Sequence, residues 1–121
     1  MADNRTEQLE ALEVMVEFNE KIIKNIHILV KELSGERLED TDKFRESIIN
    51  AINWEIQVLN GTSEVLNEEK QRVDKEAVNA KIIALGDALK EKEDAGIAKA
   101  FEDLLPELET LGNAAKEVIN K

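Results

Sequence analysis

The chain has 121 residues, 42% of them hydrophobic and 36% charged, with a formal net charge of −11 and no cysteine. That size and balance predict a single globular domain over 1–121, too short for two well-packed cores and too apolar for a disordered chain. Acidity without a basic patch argues against nucleic-acid binding and against an anionic membrane surface. The absence of cysteine removes disulfides, thiol catalysis and Cys-based zinc sites.

The opening MADNRTEQLE is polar and does not read as a signal peptide. Apolar runs fall far short of the ~20 residues a membrane span needs, so a cytoplasmic protein is expected. Ile, Lys and Asn are favoured over Arg, a usage typical of AT-rich bacterial genomes. With aromatics at 3%, the core must be built from Ile, Leu, Val and Ala.

The apolar spacing predicts four helices, at about 4–34, 42–67, 75–92 and 95–119. In the first, Leu9, Leu12, Val16, Asn19, Ile23, Ile26, Val30 and Leu33 alternate three- and four-residue steps, and Met15, Ile22 and Leu29 widen the stripe. Gly35 supplies the stop. At 1.5 Å per residue this helix is ~45 Å long, which predicts an elongated molecule. The second helix has Asp40, Thr41 and Asp42 as candidate caps. One stripe is Ile49, Ile52, Ile56, Leu59, Ser63 and Leu66; a parallel one is Phe44, Ile48, Ala51, Val58 and Val65. Asn60-Gly61 is a turn signal, but the register crosses it without a slip, so the glycine is read as internal to the helix.

Residues 67–74 carry almost no apolar pattern and are read as a loop, with Asp74 capping the third helix. That helix presents a narrow stripe, Val78, Ile82, Leu85 and Leu89, with Ala77, Ala80, Ala84 and Ala88 beside it to admit a close neighbour. A short polar link leads to the fourth, whose stripe is Ile97, Phe101, Leu104, Leu108, Leu111, Ala115 and Val118. Pro106 falls on the opposite face, predicting a continuous helix kinked near that residue. The fold expected is all-α, an elongated antiparallel four-helix bundle.

The segment EDAGIAKAFEDLLPELETLG, residues 93–112, resembles a group of small acidic bacterial helical-bundle proteins. Some of these carry a generic molecular-chaperone label, and they are similar in build to flagellar export chaperones. The likeness is carried by Asp94, Asp103, Leu104, Leu105, Pro106 and Leu108. The chain departs from the pattern in lacking aromatic residues around the acidic-Leu-Pro segment, with Leu111 where a Trp would be expected. The resemblance implies no catalytic residues.

The inventory of reactive side chains points the same way. A di-iron bundle site needs Glu-x-x-His on two helices, and His27 is the single histidine, with Lys24 three residues before it. It is expected at the edge or surface of the first helix. No Ser-His-Asp pattern is present, and the scattered glycines form no phosphate-cradling loop. No cofactor or metal ligand set is therefore predicted, and the protein is not read as an enzyme. A carboxylate enzyme built on Glu55, which falls inside the second stripe of helix two, is a remote alternative. Burial there would raise the carboxyl's pKa, but a helix-boundary position or a neighbouring lysine is the expectation. Asn19, at a core position, is expected to fix helix register.

Residues 47–63, SIINAINWEIQVLNGTS, contain one charge, Glu55. Opposite the core lie the amides Asn50, Asn53, Gln57 and Asn60, with Trp54 among them. An aromatic anchor in a charge-poor surround is the composition of interface cores. Phe18, Ile28 and Val14 also leave the core stripe of helix one. Trp54, Asn50, Asn53, Gln57, Phe18 and Ile28 are accordingly read as partner-binding. The function expected is a protein-interaction module, chaperone-like, that holds a partner helix in a groove or on helix two. A homodimer through the same surface is the alternative. Covering of helix two by helices one and four would remove the surface altogether.

Overall fold

The computed structural model describes residues 4–120. Met1–Asp3 and Lys121, at the margins of the expected domain, lie outside the described residues. Four helices follow in order: α1 Asn4–Leu33, α2 Thr41–Leu66, α3 Lys75–Glu91 and α4 Asp94–Ile119. Each boundary falls within a residue of its expected place. Gly35, at φ +122°, ends α1, with its neighbours Ser34 and Glu36 donating their N–H groups back to Val30 and Glu32. Asp74 caps α3 by accepting from the N–H groups of Glu76 and Ala77. The helix runs through Gly61 in α2 and through Pro106 in α4. Pro106 is exposed, so the Glu102 carbonyl that loses its donor can be solvated.

The bundle is antiparallel. Arg5 near the start of α1 meets Glu68 just past α2, and Arg37 in the α1–α2 loop pairs with Asp94 at the start of α4. At the Arg5–Glu68 end, Arg72 donates to the Leu66 and Glu68 carbonyls and pairs with Glu117 of α4. Helix α1 packs against both α2 and α4, α3 packs on α4, and α2 touches α4 only lightly. Helices α2 and α3 make no direct backbone approach.

Two apolar clusters fill the interior. One surrounds Phe101 with Ile22, Ile26, Ile52 and Leu104; the other joins Leu12, Met15, Leu59, Leu111 and Val118. The expected α4 stripe is buried throughout.

Elsewhere the buried arcs are rotated from the expected ones. In α2 the sealed seam is Ile48, Ile52, Glu55, Leu59, Thr62 and Leu66, between the two stripes, while Ile49 and Ile56 are half-buried. Helix α2 packs closely on α1 and only lightly on α4, and the line it turns to them runs between the two stripes. Ala80 and Ala84 are exposed rather than covered, because α3 packs on α4 alone.

Candidate functional site

The two apolar clusters are divided by a polar layer. Asn19 lies between Met15 and Ile22 on α1, and Glu55 lies between Ile52 and Leu59 on α2. Both are buried, Glu55 to 0% exposure. The Asn19 side-chain Nδ2 donates to Glu55 Oε1 at 2.5 Å and to the Leu108 carbonyl of α4 at 2.9 Å. One amide therefore ties three helices together. Glu55 is neither at a helix boundary nor against a lysine, correcting both expectations for it. Among the described residues its Oε2 has no hydrogen-bond partner. Burial pushes the carboxyl from 4.5 up to about 7, against the opposing pull of the Asn19 bond.

Gly112 completes the layer. A Cβ at that position would lie 2.9 Å from Asn19 Oδ1, so the α4 backbone approaches the amide only because the residue is glycine. On the solvent side is a shallow cleft of ≈ 270 Å³ between α1 and α4, lined by Val16, Asn19, Glu20, Glu109, Gly112 and Lys116 among others. Among the described residues no cluster of His, Asp and Glu could hold a metal ion, and His27 is exposed. The layer offers a carboxyl that keeps its proton toward neutrality, with no nucleophile beside it.

The second feature is on the outside. Between Glu46 and Glu64, every exposed residue of α2 is uncharged: Ser47, Asn50, Asn53, Gln57, Asn60 and Gly61. This strip is ~21 Å long at 1.5 Å per residue. Trp54 borders it, half-buried, with its ring 5.0 Å from that of Phe18 on α1 and tilted by 55°. Phe18 remains 45% exposed and Val14, one turn earlier, 47%. Lys21 Nζ lies over the Phe18 ring, 5.7 Å from its centroid. Four of the expected surface residues, Trp54, Asn50, Asn53 and Gln57, thus share one helix side, and Phe18 joins them from α1. Ile28 is also exposed, on the same α1 stripe but ~15 Å further along, outside the ring pair. The amide face is not covered by α1 or α4.

The family model described as a domain of unknown function (DUF8042) matches residues 10–114. The chain belongs to this family. The match takes in α2 and α3 whole and most of α1 and α4, with the buried polar layer and the α1–α2 surface. No curated protein and no solved structure matches the chain. No described helix of this DUF8042 domain is long and apolar enough to cross a membrane.

Sequence reasoning singled out Asn19 and Glu55 separately but did not pair them. Their phase on two different helices carries no information about which layer each occupies in the assembled bundle. Gly112 and the Leu108 carbonyl were missed entirely. The available signal was a glycine in the middle of the most regular apolar repeat, where it weakens a helix by ~1 kcal/mol unless packing requires it.

Proposed function

We propose that this DUF8042 chain is a non-enzymatic, chaperone-like interaction module of the cytoplasm, which holds a partner's amphipathic helix on the outer face of α1 and α2. The observation that carries this reading is the charge-free α2 strip beside the Phe18–Trp54 pair, in a protein that is 36% charged. Aromatic anchors surrounded by uncharged polar groups lose little on desolvation, whereas a charged rim would have to be stripped of water or matched. The α1 side is flanked by exposed Glu10, Glu13 and Glu17. The fitting partner is a helix with an apolar stripe and a basic edge. Pairing of two copies through the same strip is the second reading, favoured by one point: it is a stretch where two −11 chains could meet without opposing like charges.

Trp54 is the single tryptophan, so its fluorescence reports directly on the surface. A basic amphipathic helical peptide is expected to shift the Trp54 emission to the blue, with an affinity that weakens as salt rises. A Phe18→Lys variant with unchanged circular dichroism should lose the response. Light scattering on the wild type and on Trp54→Lys separates the alternative, since a dimer would dissociate in the variant. A monomer whose emission ignores the peptide would sink the proposal.

A further inference from the structure

Glu55 plays no part in the docking surface, and its placement is energetically demanding. The carboxyl is fully buried, Oε2 is unpartnered, and both N–H bonds of the Asn19 amide are already committed. Among the described residues no ionised group balances it. The turn of α1 around Asn19 buries Met15 and Ile22, and the turn of α4 around Leu108 buries Leu104, Leu111 and Gly112. On α2 itself the neighbouring buried residues are Ile52, Leu59 and Thr62, and what α3 adds to the two clusters is apolar: Val78, Ile82, Leu85, Ala88 and Leu89. The charged residues of the α1 and α4 turns, Glu20, Glu109 and Lys116, line the outer cleft instead, where Lys116 and Glu20 pair at 3.3 Å. A neutral carboxylic acid is tolerable in such a layer. A carboxylate with an orphaned oxygen is not, unless water or movement relieves it.

We infer that Glu55 is a proton-controlled latch on α2. With its proton the carboxyl stays sealed against Asn19 and α2 remains docked; once the proton leaves to solvent, α2 loosens from α1 and α4 as a unit and water reaches the carboxylate. Helix α2 is the element able to do this. Its backbone docks on α1, approaches α4 lightly and does not come close to α3, while α1, α4 and α3 stay joined by their own contacts. The 34–40 and 67–74 segments are its two connections. Loosening uncovers the Ile48, Ile52 and Leu59 face and the α1 surface opposite. The latch does not rest on the docking proposal.

The sign follows from the carboxyl's displacement from 4.5 to about 7. Opening is favoured by rising pH between those values and levels off above the upper one. The test is hydrogen exchange on the full chain at pH 5.5 and pH 8, corrected for intrinsic rates, in wild type and Glu55→Gln. In wild type, α2 amides should lose about 30-fold in protection relative to α4 amides across that interval, and Glu55→Gln should show no such loss. Equal loss in α2 and α4, or an unchanged response in the variant, overturns the latch. Should Glu55→Gln fold poorly, a carboxyl-carbon NMR titration of wild type decides: a midpoint near 7 is expected, and a carboxyl already ionised at pH 5.5 overturns it. Loss of peptide binding in Phe18→Lys would leave these results untouched, so the two proposals fail separately.

Discussion

Helices α2 and α4 have the same length, 26 residues each, and opposite charge arrangements. Helix α4 has no ionisable residue on its buried face and carries Lys99, Glu102, Asp103, Glu109, Lys116 and Glu117 outside. Helix α2 buries Glu55 and shows no charge between Glu46 and Glu64. The first arrangement is what stability alone selects, because apolar burial stabilises and surface charge is nearly free. The second sacrifices stability inside and solubility outside. A helix that departs from the cheapest arrangement on both faces is where function is to be sought, and α4 is the scaffold that tolerates it.

The comparison breaks most visibly in the core of α4. Phe101 is fully buried, and Phe101→Ala should cost about 3–5 kcal/mol in urea denaturation, independent of pH from 5 to 8. The buried face of α2 should behave differently. Glu55→Gln removes a group whose folded pKa is raised to about 7. Wild-type stability should therefore be full below the ordinary carboxylate range and lost as pH rises toward 7. The loss amounts to ~3 kcal/mol at most by pH 8, and it should be absent in the variant. At the acid end the sign reverses. Asp42 and Asp94, held down chiefly by hydrogen bonds from Arg37, and Glu117, held down chiefly by Lys70 and then Arg72, contribute stability that disappears as pH falls below the carboxylate range. Wild type should be most stable near pH 5.

Gly112→Ala tests the point at which the two helices meet through Asn19. An alanine gains ~1 kcal/mol in helix propensity, yet its Cβ would crowd an amide pinned by two hydrogen bonds. A net loss of about 1 kcal/mol is expected, and Asn19→Ala in the same chain should convert that loss into a gain, which a double-mutant cycle by denaturation would measure. On the outer face of α2, Trp54→Lys should lower stability by only about 1 kcal/mol, since the ring is half-buried. Peptide binding, read by titration calorimetry because the variant lacks the indole, should be abolished. The smallest effect is expected at Arg37→Ala. Its pairs with Asp42 and Asp94 are exposed, so any change in melting temperature should vanish in high salt.

The amino-acid order by itself determined the four helices, their limits to within a residue, the passage of α2 through Gly61 and the buried stripe of α4. These rest on local periodicity and capping, which are properties of consecutive residues. It also marked the α2 amide strip, because absence of charge on one helix face can be read along a single segment. Tertiary structure alone decided that Asn19 and Glu55 share a layer with the Leu108 carbonyl, that Gly112 makes room for them, and that the Phe18 ring meets Trp54. It also decided that the deepest line of α2 runs between its two stripes. Each of these depends on the relative height and rotation of separate helices, and helical phase specifies a face without specifying which residue of another helix will stand opposite it.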